Sequence, residues 1–380
     1  MKKVSSFTIH KIKCPVCGTL NRFKGIKAKA YVETGRDTDF RPAVKDLEDS
    51  GQKVRNPLLY FMATCKKCFF THEMNREFIE WENSSEFKSP GFKASKRKHL
   101  KELKQKESLI RKIGKTLKPS KDPFGSSAIK FLLGIYDETL KPDRSSYNLA
   151  RYYLRLAWIF REENQREKSA WIKENLAIES LDGTLNSIRL QHSDYLEKVQ
   201  RLKALVELES SSGCSAGDKK ARRRCNLLMD RMVKELESLK DSLDRLQGIF
   251  RDSQDKPPAR GSRGRLRFDD LLFDLKMDWP GVPVNEKEAL ELSLENYKKS
   301  LTQNLRGNRM IQIPYLIGEL SRRIGDLGTA REYFDLTIDA GNDFIQQNRD
   351  DRLRTALAQK ILEMAHQQKE VILKGREKMA

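Results

Sequence analysis

The chain has 380 residues, 74 of them Lys or Arg against 54 Asp or Glu, which leaves a net charge of +20 with 34% of positions charged. That is too long for one compact core and fits two or three domains. The charge, well above the ~25% usual in globular chains, calls for surface-rich architecture: long helices, stacked repeats or an arm. No apolar run approaches the ~20 residues of a membrane span, Leu58 to Ala63 and Phe131 to Tyr136 being among the longest. The opening MKKVSSFTIHKIKCP lacks the ~7–15-residue apolar stretch of a secretory leader. The expectation is a soluble, cytoplasmic protein. Its positive field would suit nucleic acid, anionic lipid or an acidic protein, which bears on association and not on fold.

The first elements are two strand-like stretches, Phe7 to Lys13 and Leu58 to Thr64, each running into a Cys-x-x-Cys pair: Cys14/Cys17 and Cys65/Cys68. In a reducing compartment such pairs are metal ligands sooner than disulfides. Four thiolates make a closed tetrahedral shell for one structural Zn²⁺, with no position left for substrate. The first knuckle has Pro15 to stiffen its turn and Gly18 to take a left-handed conformation, whereas the second has Phe69 where the first has glycine. Lys11, Lys13, Lys66 and Lys67 stand beside the sulfurs, either to offset the negative charge of a tetrathiolate site or as ordinary surface lysines. His10 and His72 lie near enough in sequence to substitute for a ligand.

Between the knuckles stand 47 residues, more than the ~15–20 of a compact ribbon. Folded structure must fill them: a strand from Ile26 to Glu33, the turn Arg36-Asp37-Thr38-Asp39-Phe40-Arg41-Pro42, and Asn56-Pro57-Leu58-Leu59-Tyr60. Asp37 and Asp39 can be read as a catalytic or second-metal pair. They can equally be turn residues that bond backbone N–H groups and pair with Arg36 and Arg41.

Cys-Pro-x-Cys-Gly, then Arg36 to Phe40, then Asn56 to Tyr60, then the second Cys-x-x-Cys, in that order, resembles an uncharacterised bacterial family known as domain of unknown function two-two-two-five. The resemblance is sharp over about residues 8–82 and looser beyond. It implies a cysteine-knuckle head joined to tetratricopeptide-like helices, and it implies no established reaction. Phe69 in place of glycine departs from the pattern.

From Lys88 to Lys121 there are thirteen Lys or Arg and only Glu102 and Glu107 as acids. Leu100, Leu103, Ile110, Ile113 and Leu117 fall on one stripe, which predicts an amphipathic basic helix. Helices follow over Ser126 to Glu138 and Ser146 to Glu162, continued by Ser169 to Ile178. Farther on, Gly318, Gly325-Asp326, Ala330 and Phe334 match a tetratricopeptide unit: the small residues for close helix approach, Gly-Asp for the turn, Phe for the gap between neighbours. Between these parts, two seams step by four and three. One runs through Leu181, Leu185, Ile188, His192, Tyr195, Val199, Leu202 and Val206, the other through Cys225, Met229, Met232, Leu236, Leu239, Leu243, Leu246 and Phe250. They predict an antiparallel coiled-coil hairpin that sets His192 opposite Leu239, with Ser211 to Asp218, including Cys214, at its tip. Basic clusters at Lys219 to Arg224 and Arg260 to Arg267 follow, the second in a stretch expected to be flexible.

The expected fold is mainly α. A zinc-ribbon-like β head spans 1–85, a basic amphipathic connector helix 86–121 and a first helical body 122–180. A coiled-coil hairpin arm covers 181–252, a basic flexible linker and short helix 253–283, and tetratricopeptide-like helices 284–380. No phosphate-cradling glycine loop, nucleophile elbow or His-Glu-x-x-His motif occurs. The reading that follows is a non-enzymatic, zinc-stabilised adaptor or scaffold that binds a protein partner through helical repeats and arm. A nucleic-acid-associated protein using its basic patches is the alternative, and an enzyme acting through Asp37, Asp39 or His72 a second one.

Overall fold

The computed structural model describes residues 7–27, 30–46, 56–118, 122–209, 216–254, 263–302 and 305–377. The fold is mainly helical, with small antiparallel strand pairs near the N-terminus. It divides into two compact units, one of residues 1–163 with 264–380, the other of residues 164–263.

The first unit begins with three two-stranded sheets. Strand β1 (Phe7–Lys13) pairs with β2 (Leu20–Ile26), β3 (Tyr31–Arg36) with β4 (Pro42–Asp46), and β5 (Met62–Thr64) with β6 (Thr71–Glu73). The strand expected from Ile26 to Glu33 therefore starts later. The one expected from Leu58 is shorter, because Asn56 caps a 3-10 turn over Pro57–Tyr60 by accepting from the Leu58 N–H at 2.9 Å. An Asx cap followed by proline favours a helical turn over extension.

Helices α1 (Arg76–Ile79) and α2 (Ser85–Lys88) lead into α3 (Pro90–Lys104) and α4 (Leu109–Gly114). The expected single basic helix is thus broken. Ser108 takes an extended backbone and its hydroxyl accepts from the Arg111 N–H at 3.2 Å, which starts a new helix in place of continuing the old one.

Next comes α5 (Pro123–Thr139), capped by Asp122 and buried around nearly its whole circumference. Its Phe131, Leu132 and Ile135 pack with Ile110 and Ile113 of α4 and with Leu156 of α6 (Ser146–Glu209). Gly134 lets the head seat closely on α5, since an added Cβ would fall 2.1 Å from the Met62 methyl. After α7 (Ala216–Gln254), helix α8 (Arg263–Asp278) adds Leu272 and Leu275 to the same core.

Trp158 and Leu154 of α6 pack instead with Leu290 and Tyr297 of α9 (Glu286–Leu301) and with Ile313 and Ile317 of α10 (Arg309–Ile324). The other side of α10 joins α11 (Leu327–Gln347) and α12 (Arg352–Glu377) around Tyr315, Phe334 and Ile361. Successive helices thus share cores in layers. Gly318 lies against the Phe334 ring at 2.9 Å and the Ala330 carbonyl at 3.2 Å, measured from where a Cβ would stand. Gly325 closes α10 in the left-handed conformation (φ 95°), and Asp326 caps α11 by accepting from Thr329.

In the second unit, residues 164–209 of α6 run antiparallel to α7. Arg189 pairs with Asp244 (2.9 Å), Lys203 with Asp230 (2.6 Å), and the His192 Nε2 meets the Leu236 carbonyl at 2.7 Å. Helix α6 does not stop near Ile178 but continues to Glu209. The buried line is also not the whole of either expected seam. His192 and Leu243 are buried, and Leu196, Val199, Met229, Val233 and Leu236 are half-buried. Leu181, Ile188, Tyr195, Leu202, Met232, Leu239 and Leu246 are exposed. Burial of Leu243 and of His192, whose ring meets the Leu236 carbonyl, goes with a helix rotation that turns those residues outward.

Cys214, Arg260 and the rest of the tip from Ser211 to Ser215 lie outside the described residues, as do the side chains of Val206, Lys219 to Arg222 and Phe250. The Gly/Arg segment expected to be flexible is helical from Arg263 onward. Among the described residues no helix is long and apolar enough to cross a membrane.

Candidate metal centre

Two hairpins build the site. Lys13 pairs with Leu20, and Thr64 with Thr71, so the loops Cys14 to Thr19 and Cys65 to Phe70 have equal length. Their hydrogen bonds match as well. The N–H of Gly18 donates to the Cys14 carbonyl and that of Phe69 to the Cys65 carbonyl, both at 2.9 Å. Cys14 N donates to the Thr19 carbonyl and Cys65 N to the Phe70 carbonyl, again at 2.9 Å. Gly18 (φ 72°) and Phe69 (φ 63°) share the left-handed conformation that turns the chain back past the sulfurs. The second knuckle therefore has the geometry of the first despite its phenylalanine.

The four Sγ atoms of Cys14, Cys17, Cys65 and Cys68 lie within 4.8 Å of one another. Cys14 to Cys68 and Cys17 to Cys65 are each 3.6 Å apart, far beyond the ~2.05 Å of a disulfide. A tetrahedral metal with sulfur at about 2.3 Å has edges of roughly 3.8 Å. The cluster can thus hold a metal ion by all four sulfurs. Three of the cysteines are buried and Cys17 is half-buried, so the shell is enclosed.

Thiols this close cannot all ionise without a cation among them. Contact with Cys65 pushes the Cys14 thiol up to about 12, and contact with Cys14 pushes Cys68 up further. A hydrogen bond from Cys14 holds Cys65 well below the ordinary thiol range. A bound metal takes the place of the shared protons, so its binding releases them.

Side chains that the cysteine pattern does not announce hold the knuckles together. Asn21, buried on β2, donates to the Thr19 carbonyl (2.8 Å) and to Cys65 Sγ (3.5 Å) while its oxygen accepts from Lys66 N (3.0 Å), bridging both loops. His99 of α3, also buried, joins the Cys68 carbonyl (2.9 Å) to Asp137 of α5 (2.6 Å). Asp137 accepts in turn from Thr71 N at 2.8 Å. Lys96 reaches the Pro15 carbonyl at 2.8 Å. No local signal marks these residues, because their roles exist only once distant elements meet.

Lys11, Lys13, Lys66 and Lys67 are exposed. His10 bonds Thr8 Oγ1 at 3.1 Å. His72 bonds the Glu73 carbonyl at 3.1 Å and stacks on Phe78. Neither histidine belongs to the sulfur cluster.

Asp37 and Asp39 sit apart from it, in the turn between β3 and β4. The fully buried Asp39 takes Arg161 at 2.8 Å and the Trp158 indole N–H at 3.0 Å. Asp37 takes Arg161 at 2.9 Å and Arg323 at 2.7 Å. Of the expected partners, Arg36 pairs with Glu33 instead, and Arg41 reaches Asp37 only at 4.0 Å. Burial is the largest single influence on Asp37 and opposes its ionisation, but the Arg323 guanidinium, the Thr38 N–H and Arg161 together outweigh it and hold the carboxyl below its usual range. Thr38 and Arg323 converge on Glu319 of α10 (2.5 and 2.6 Å), which completes a tether between this turn and helices α6 and α10.

No curated protein and no solved structure matches the chain. A family model described as an uncharacterised protein conserved in bacteria, DUF2225, matches residues 7–204, from the first strand through both knuckles and the Asp37 turn into α6. With more than half of its length matched and the paired knuckles in place, the chain belongs to the DUF2225 family.

Proposed function

We propose that this protein is a non-catalytic scaffold whose head is held by one structural Zn²⁺ on Cys14, Cys17, Cys65 and Cys68. Its tetratricopeptide-like helices and its α6–α7 coiled-coil arm take a protein partner. The enclosed four-sulfur shell supports zinc in a structural role, since catalytic zinc keeps an open position. The free cysteines fit a reducing compartment such as the cytoplasm.

One observation carries the partner reading. On the α6–α7 hairpin, Leu190 is 74% exposed, Leu227 68% and Tyr195 61%. Leu202, Leu205, Leu228 and Met232 are also exposed. Exposed apolar side chains recur along both helices of the arm, and such side chains suit a protein in preference to a polyanion.

The test is affinity capture with the full chain and with a Tyr195→Glu, Leu228→Glu variant, followed by reconstitution from purified components. A protein that forms a stoichiometric complex with the wild type and is lost by the variant supports the reading. A catch of nuclease-sensitive nucleic acid with no retained protein counts against it.

A second reading rests on α3 and the residues just after it. Lys93, Arg97, Lys98, Lys101, Lys104 and Lys106 are all exposed, a cationic face that fits phosphate contacts. Binding of RNA or DNA that weakens steeply with salt, and less steeply after Lys98 and Lys101 are replaced by Gln, would favour this reading.

A further inference from the structure

A cavity of ≈ 390 Å³ lies in the first unit, between the Asp37 to Arg41 turn, the Asn56 to Leu58 segment and helices α6, α9, α10 and α12. Its volume falls in the range of small-molecule sites, about 300–1,000 Å³. Two of the motifs that carry the family resemblance form its walls, and neither is used by the sulfur cluster.

At the cavity stands Arg155 of α6. Its guanidinium carbon lies 4.3 Å from the Phe61 ring centroid and 5.6 Å from that of Trp158. One N–H donates to the Arg151 carbonyl at 3.2 Å. It enters no ion pair among the described residues. Arg151 takes Glu73 at 3.0 Å, and the acids on the cavity wall are committed elsewhere: Asp39 to Arg161 (2.8 Å), Glu33 to Arg36 (2.5 Å) and Glu162 to the Asn56 amide (2.5 Å). Burial pushes the Arg155 pKa down, and the neighbouring Arg151 charge adds to this. The half-buried guanidinium keeps only part of its hydration and has no carboxylate counter-ion, and an anion that enters the cavity supplies one. Guanidinium matches carboxylate and phosphate as a two-pronged donor.

Beside polar groups that include Arg36, Arg41, Asn56 and Gln312, the lining offers an apolar and aromatic face of Leu154, Trp158, Tyr297 and Leu316. Phe40, on the same wall, holds a left-handed backbone (φ 66°), an uncommon state for a bulky residue and one that clusters at ligand sites.

We propose that this cavity binds a small organic anion, its carboxylate or phosphate forked onto the Arg155 guanidinium and its flat, apolar body laid against Trp158 and Tyr297.

Calorimetric titration of the full-length protein tests this with indole-3-acetate and adenosine monophosphate as organic anions. Indole-3-acetamide and adenosine serve as neutral counterparts, and inorganic phosphate as an anion without a body. The expected result is one saturable site for at least one organic anion, with its neutral counterpart and inorganic phosphate each at least tenfold weaker. The two organic anions separate a carboxylate from a phosphate head. Arg155→Met keeps the apolar stem on Phe61 and should weaken binding at least tenfold while leaving the ligand-free melting temperature unchanged or higher. Leu357→Trp, which fills the cavity from α12, should also abolish binding, and it keeps the test valid should the first variant misfold. No saturable binding by either organic anion, equal binding of the neutral counterparts or of inorganic phosphate, or binding that survives both substitutions would overturn the proposal.

Discussion

Phe69 passes through the left-handed region and lays its ring over Gly114 of α4, where an added Cβ would fall 2.2 Å from the ring. A non-glycine residue in that conformation costs roughly 1–2 kcal/mol, and the ring packing on Gly114 offsets it. The same contact locks the second knuckle to the helical core. Gly114→Ala should therefore destabilise by about 1–3 kcal/mol, the range for overpacking. Phe69→Gly should cost less in the Gly114→Ala background than in the wild type, because it removes the clash. Urea unfolding of both single variants and the double variant gives the coupling. Strict additivity would show that the two residues do not share an energetic contact.

The sulfur cluster predicts about one metal ion per chain in purified protein. Cys65→Ser should lose it and lower the melting temperature of the head, since binding energy at a structural site is folding energy. Metal analysis by mass spectrometry with near-ultraviolet circular dichroism checks both. Because contact with Cys65 holds the Cys14 thiol above its ordinary range and metal binding must displace that proton, apparent metal affinity should rise with pH across the neutral range. A pH-independent affinity, or full metal content in Cys65→Ser, would remove the cluster from consideration.

The Asp37 turn makes a different prediction, one of rank. Asp39 is fully buried with Arg161, whereas Asp37 is partly open to solvent. Removing one partner of a buried pair leaves the other charge uncompensated and costs ~3–5 kcal/mol. Asp39→Asn should reach the lower part of that range, and Asp37→Asn about 1 kcal/mol because water screens it. The Asp37 carboxyl is held below its ordinary value of 3.8 in the fold, so its contribution is complete above that pH and fades as pH falls beneath it. Equal losses for the two variants at pH 7 would contradict the tether.

How far these features can be read from the chain depends on how local they are. Cys14, Cys17, Cys65 and Cys68 announce themselves because each pair lies within one turn, and Gly318, Gly325 and Phe334 because their spacing follows helix geometry. Asn21, His99 and Asp137 cannot be read in the same way, since each acts on residues far away in sequence. The aspartates of the Asp37 turn are visible as a motif. Their partners Arg161 and Arg323 are not, and the nearer Arg36 and Arg41 stand in for them until the helices are placed. The basic stretch shows a continuous stripe through Leu103 and Ile110, which hides the break that Ser108 imposes. Periodicity reports a face and is silent about a cap. On the hairpin the same stripe sums two neighbouring faces, one closed by His192 and Leu236 and one left exposed through Tyr195 and Met232.

Where α2 meets α5, Glu86 lies 3.5 Å from the His72 ring and 3.1 Å from Lys141, which also holds the buried Glu138 at 2.9 Å. The hydrogen bond from His72 is the largest influence on the Glu86 carboxyl. With the nearby positive charge of Lys141 it overcomes the opposing effect of burial and brings the pKa down to about 2. A carboxyl lowered from 4.5 in this way stabilises the fold fully above that pH. The contribution is lost as pH falls from 4.5 toward about 2, where the folded form takes up its proton. Because about a third of the side chain faces water, Glu86→Gln should cost only ~1 kcal/mol at pH 7. The gap between wild type and variant should narrow steadily below pH 4.5, since the protonated glutamic acid and the glutamine then present the same neutral group to Lys141. Urea unfolding of the two proteins at pH 7, 5 and 3 measures that gap. A gap that stays constant across the three, or widens with acid, would show that Glu86 stabilises by packing and not by charge.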